Sequence, residues 1–231
     1  MKNNKRGSLF ILTGALLLFA AMLLIVWNEH ENSAAKERSE KVISALKETF
    51  GVPTADNSSD DEPGEALPSP SDNSTAADSD TNDGTSSERS GESVDIPSVQ
   101  VDGREYMGMI SIPSVGLELP VTKEWSYYDL RAAACRYSGS VETNDLVICA
   151  HNYRSFFDRL SELTEGSEVI LTLADGKVCR YTVEWTEFVD GNNARQIREG
   201  SAEDWELTLF TCTWSGYSRV TVRCSAEKKE P

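Results

Sequence analysis

Residues 8–27, SLFILTGALLLFAAMLLIVW, form an unbroken apolar run with no charged position. As a helix, such a run is long enough to cross about 30 Å of hydrocarbon. Lys2, Lys5 and Arg6 precede it and Asn28-Glu29-His30-Glu31 follow, so the positive-inside bias predicts a cytoplasmic N-terminal tail (1–7) and an external remainder. The run is longer than the core of a secretory signal, and no small-x-small site directly follows it. It therefore reads as an uncleaved signal anchor. Residues 28–50 continue with apolar positions at Ala34, Ala35, Val42, Ile43, Ala45 and Leu46, and with Glu37 four residues before Lys41. That spacing predicts a juxtamembrane helical stalk. Residues 51–103 carry few large apolar side chains among many Ser, Asp, Asn, Thr, Pro and Gly. Such a segment cannot offset the entropy of ordering and is predicted to be a disordered linker. It would span roughly 40 Å and hold a domain off the bilayer.

The pattern changes at residue 104, where short apolar runs begin to alternate with turn residues. Strands are predicted over 107–112, 117–121, 145–150, 169–173, 178–185, 207–211 and 219–224. Ala174-Asp175-Gly176-Lys177 supplies a hairpin turn. A helix is expected over 125–137, and helical turns over 156–163 and 193–199. Trp125, Trp185, Trp205, Phe156 and Phe157 are expected in the core. At least seven strands with little helix predict a closed or nearly closed β-barrel occupying 104–231.

Charge narrows the partners. The chain carries a net −16, which argues against nucleic acid, because a polyanion partner needs clustered Lys and Arg. The acidity is uneven: net +2 over 1–50, −12 over 51–103 and −6 over 104–231. The acidic middle segment reads as a solvated spacer. The five cysteines (135, 149, 179, 212, 224) include no CxxC pair, and the only histidines are His30 and His151. That spacing provides no zinc site, and nothing else in the sequence calls for a cofactor.

The candidate chemistry lies at strand ends. Cys212 closes the apolar run Thr208-Leu209-Phe210-Thr211-Cys212 and opens into a polar turn. His151, alone of its type in the domain, follows the run 145–150. Arg219 opens the last predicted strand. A thiol, an imidazole and a guanidinium brought together could perform acyl transfer, with the thiolate as nucleophile, imidazole as proton shuttle and the cation at the oxyanion. The order His then Cys is not that of papain-like proteases. Cys135, Cys149, Cys179 and Cys224 read as small buried hydrophobes, with Cys149 the second choice of reactive thiol. Arg223 is the rival to Arg219.

Thr208-Leu209-Phe210-Thr211-Cys212 resembles the TLxTC signature of sortases at every fixed position. The stretch 112–121 (IPSVGLELPV) resembles the family's opening strands, 147–152 (VICAHN) its histidine strand and 219–223 (RVTVR) its last strand. The resemblance covers roughly 104–226. It implies an eight-stranded barrel and a membrane-anchored transpeptidase. Such an enzyme cleaves an LPxTG-like sorting signal through a Cys212 thioester. It then passes the acyl group to an amine on a peptidoglycan precursor or a pilin. Cys212, His151 and Arg219 would be catalytic, while Thr211 and Tyr217 would line the substrate groove. Ala150 stands where many members have Gly, and only six residues separate Cys212 from Arg219, so the turn between them should be tight. Asn152 resembles class B, yet the stretch 188–205 is too short for that class's inserted helix. The lack of an Asp-Pro-Trp lid motif and of a C-terminal membrane helix argues against a typical pilin polymerase. Two other functions fit the same chain. One is a catalytically silent, surface-anchored β-domain that binds a wall polymer or protein partner. The other is a thiol hydrolase that releases its substrate to water.

Overall fold

The computed structural model describes residues 4–50, 96–198 and 203–227. The expected tail (1–7) lies partly outside them, as does Glu199 of the expected turn, and 51–95 of the expected linker lies wholly outside.

A helix α1 (Asn4–Phe50) runs without a break from the apolar segment through the expected stalk. Its apolar first half has large exposed side chains from Leu9 to Trp27. This is a helix long and apolar enough to cross a membrane. The second half does not stand free. Ala35 belongs to the main core, and Val42 and Leu46 pack with Tyr106 and Ala133. Lys47 pairs with Glu118 at 2.8 Å. Burying Val42, Ile43 and Leu46 contributes about 5–9 kcal/mol in area terms. The second half of the helix is therefore docked on the barrel.

Nine strands follow: β1 (Val99–Val101), β2 (Arg104–Ile112), β3 (Leu117–Thr122), β4 (Ala134–Ser138), β5 (Leu146–Cys149), β6 (Glu168–Leu173), β7 (Val178–Asp190), β8 (Leu207–Cys212) and β9 (Ser218–Ala226). Their order is β1-β2-β3-β4-β5-β8-β9-β7-β6, and β2 also pairs with β6. That last pairing closes β2–β9 into the expected eight-stranded barrel, with β1 as an added edge strand. Gly108 lies at the seam, where a Cβ would stand 2.2 Å from the Thr172 carbonyl oxygen; only glycine permits so close an approach. β3/β4 and β5/β8 are parallel and the other pairs antiparallel. The barrel is filled by alternate residues of each strand, among them Ile110, Leu119, Ile148, Leu171, Leu209 and Val222.

Several expectations change. β1 lies inside the stretch read as linker. It pairs with β2 from Val99↔Tyr106 to Val101↔Arg104. The helix expected over 125–137 is a short 3₁₀ turn (Asp129–Arg131) followed by β4. Its helix-like spacing of apolar residues arises because a turn and a strand each bury part of it. Trp125 and Trp185 are exposed, whereas Trp205, Phe156 and Phe157 are buried as expected. A 3₁₀ turn (Phe157–Glu162) and a short helix α2 (Ala194–Arg198) occupy two of the predicted helical turns.

Candidate active site

The TLFTC run is β8, and each of its residues has a separate structural task. Thr208 is fully buried. Its hydroxyl accepts from Trp205 Nε1 at 2.9 Å and from Arg223 Nη1 at 3.0 Å. Leu209 points into the barrel. Phe210 packs on the outer face with Val147, Cys149, Cys135 and Val189. Thr211 is 2 % exposed, and its hydroxyl donates to the Ala150 carbonyl at 2.8 Å. It fastens the end of β8 to the end of β5. Cys212, two residues past Phe210, shares the outer face and is half-buried at the strand end.

Register brings the three predicted groups together. In the parallel β5/β8 pair Cys149 lies opposite Phe210, and the Ala150 N–H continues the ladder to the Phe210 carbonyl at 3.3 Å. His151 follows two residues after the end of β5, and Cys212 closes the neighbouring β8. On the other side Cys212 is the direct partner of Arg219 in the antiparallel β8/β9 pair. Side chains so opposed share a face, with Cβ atoms about 4.5–5.5 Å apart. The turn that joins β8 and β9 is tight, as six intervening residues require. Thr213 N–H donates to the Ser218 carbonyl at 2.9 Å, and Gly216 takes the left-handed conformation at φ 74°. Arg219 Nη1 donates to the Gly216 carbonyl at 2.9 Å and to the Ser218 carbonyl at 3.1 Å. These bonds hold the guanidinium at the turn. Tyr217, at the tip, is 82 % exposed.

Arg223 faces outward in the same row but is 1 % exposed. Its Nε donates to Glu187 at 2.9 Å and its Nη2 to the Gln196 carbonyl at 2.8 Å, and the guanidinium lies 4.4 Å from the Trp205 ring centre.

The thiols separate by environment. Among the described residues, Cys135, Cys149, Cys212 and Cys224 form no disulfide. Burial pushes the Cys135 thiol up to about 11 and raises Cys149 and Cys224 further. These are thiols, not thiolates, at neutral pH. Cys149, the second choice of nucleophile, lies beneath the surface that Cys212 reaches. His151 is half-buried with its ring 4.9 Å from that of Tyr153. Its pKa is lowered by burial first and by the Arg131 charge second, while Glu31 of α1 opposes both. Arg131 and Glu31 were missed in the sequence because they come from elements far from His151 along the chain. Gly191 was also missed: a Cβ there would stand 2.8 Å from both Arg219 Nη1 and the Tyr217 carbonyl oxygen.

The sortase domain profile matches residues 110–227, just over half of the chain. The chain belongs to the sortase family. Among solved structures, this sortase is similar to sortase C1 of Streptococcus agalactiae, at 22 % identity and a TM-score of 0.50, over 57 % of this chain and 72 % of that one. It is also similar to sortase C of Streptococcus pneumoniae, at 25 % identity and a TM-score of 0.49, over 56 % and 69 %. Sortase A of Corynebacterium diphtheriae, in a lid mutant, gives 22 % and 0.47, over 55 % and 73 %. No curated protein sequence matches the chain.

Proposed function

We propose that this sortase is a membrane-anchored cysteine transpeptidase with Cys212 as nucleophile, His151 as acid/base and Arg219 as oxyanion partner. The anchor would be residues 8–27, with the barrel outside the cell. The observation that supports it best is the direct pairing of Cys212 with Arg219 across β8/β9, with His151 following β5, the strand on the other side of β8.

The Cys212 thiolate attacks the carbonyl carbon of an LPxTG-like sorting signal. Negative charge gathers on the carbonyl oxygen, where the Arg219 guanidinium offers N–H donors not held by the turn. The C–N bond then breaks, and imidazolium His151 gives its proton to the departing amine. This leaves a Cys212 thioester and a neutral imidazole. An amine on a peptidoglycan precursor or a pilin attacks the thioester and yields its proton to His151. The new amide forms as the thiolate leaves. Tyr217, exposed at the turn beside Arg219, is positioned to meet the signal peptide.

The test incubates the full chain, in detergent, with sorting-signal peptides and candidate amines, read by mass spectrometry. A covalent acyl adduct on Cys212 and an amine-dependent product are expected, and both should vanish in Cys212→Ala. Product formed by Cys212→Ala would remove the assignment. An adduct resolved only by water would make the chain a thiol hydrolase.

A further inference from the structure

The cysteines differ in what faces them across the sheet. Cys179 lies opposite Leu171, Cys212 opposite Arg219, and Cys224 opposite Val183 and Leu207. Cys135 and Cys149 lie opposite one another in the antiparallel β4/β5 pair. Residues so opposed share a face, with Cα atoms about 4.5 or 5.5 Å apart. Both spacings fall within the range of about 4.4–6.8 Å that a disulfide bridges. The two side chains belong to one apolar cluster. A negative charge on Cys149 is opposed first by burial and next by Cys135, as neighbouring sulfurs require.

Register also sets aside the rival bridge. Cys149 faces Phe210 in the parallel β5/β8 pair, two residues before Cys212. Cys149 and Cys212 are therefore one strand spacing apart across the sheet and two residues apart along it, which separates their Cα atoms by about 8 Å. A disulfide cannot span that without backbone movement. Closing the Cys135–Cys149 bridge leaves the Cys212 thiol free.

The bridge falls where the barrel is thinly held. β4 pairs with β3 at two positions, Val121↔Ala134 and Thr122↔Cys135, and its ladder with β5 is irregular between Arg136 and Ser138. The strand it would brace against, β5, ends two residues before His151.

We propose that Cys135 and Cys149 are a disulfide-forming pair, a cross-strand bridge that ties β4 to the strand leading into His151. The pairing rests on register and not on the proposed transpeptidase activity. The proposed place of the barrel outside the cell is one where such a bridge persists. The bond forms by exchange with a low-molecular-weight disulfide. One thiolate of the pair attacks a sulfur of the oxidant and releases one thiolate from it. The second protein thiol gives up its proton, attacks the mixed disulfide and releases the other. Each departing thiolate takes up a proton that a protein thiol gave. Two protein thiols become one disulfide, and one disulfide is reduced to two thiols.

The test holds the full chain in detergent with oxidised glutathione and sub-denaturing urea, which opens the barrel transiently because both thiols are buried. The sample is quenched in acid, alkylated under denaturing conditions, digested without reductant and mapped by mass spectrometry. A Cys135–Cys149 cross-linked peptide pair is expected, with Cys212 recovered outside it. The bridge closes a loop of 15 residues, Cys135 through Cys149. It should raise the thermal midpoint by about 5–10 °C over the same sample after reduction. Cys135→Ala and Cys149→Ala should each show neither the cross-link nor the rise. A wild-type chain in which both thiols stay open to alkylation, or in which Cys149 is joined to Cys212, would overturn the pair. Mapping the wild-type chain decides this whether or not the variants fold. A cross-link without the thermal rise would overturn the bracing of β4.

Discussion

The Thr211 hydroxyl donates to the carbonyl of Ala150 at 2.8 Å, and both groups are buried. The bond fastens the residue before Cys212 to the residue before His151, so a structural threonine sets the spacing of two groups proposed to act together. Thr211→Val keeps the shape and removes the donor, leaving the Ala150 carbonyl unpaired. We expect a loss of about 1–3 kcal/mol in denaturant unfolding, with a fall in kcat larger than any change in KM. Thr211→Ser should recover most of both. A Thr211→Val enzyme as stable and fast as wild type would show that the bond positions nothing.

Arg219 and Arg223 share a face and differ in surroundings. Arg219→Lys should fold normally and lose on the order of 10²–10³ in kcat/KM, the size expected for one lost oxyanion donor. Arg223→Lys should instead lose stability. Lysine cannot reach Glu187, the Gln196 and Ile197 carbonyls and Thr208 together, and breaking a buried charge network costs on the order of 3 kcal/mol or more. Paired unfolding and kinetic measurements separate the two. A stable, inactive Arg223→Lys beside an active Arg219→Lys would exchange their roles.

His151 should titrate below the usual histidine value, because burial and Arg131 both disfavour its charged form. Its folded pKa is depressed, so its contribution to stability is full above the unfolded value of about 6.5. That contribution is lost as pH falls through the folded value. Glu31→Gln should lower the pKa further and Arg131→Gln should raise it. NMR titration of the ring, with His30 replaced to leave one histidine, measures this whether or not His151 is catalytic. The acid limb of the pH–rate profile should move in the same direction. A titration unchanged by Glu31→Gln would remove α1 from the electrostatics of the site.

Removing α1 and β1 should weaken the barrel. A chain of residues 104–231 leaves Tyr106 without Val42, Leu46 and Val99, and it loses the Lys47–Glu118 pair. Relative to the full chain we expect a loss of several kcal/mol in denaturant unfolding, of the order set by three buried aliphatic side chains. Equal stability of the two would mean that the helix merely rests on the barrel.

The strand pattern by itself determined the class of fold, because alternation with period two and turn residues between runs are local properties. The TLFTC run, a histidine at the end of 145–150 and an arginine at the start of the last strand were legible for the same reason: each sits at a boundary visible along the chain. The apolar run of α1 was equally plain, since length and lack of charge suffice to define it. Tertiary structure alone decided the rest. Register across β8/β9 placed Arg219 opposite Cys212 and Arg223 opposite Thr208, which no local signal separates. The residues 125–137 were read as one helix, yet pairing of β4 with β3 and β5 makes the last four of them strand. The docking of α1, the addition of β1 and the approach of Glu31 and Arg131 to His151 depend on contacts between segments far apart in the chain. Those contacts also bury Thr211 and give its hydroxyl the Ala150 carbonyl, a bond between two strand ends that no local signal shows.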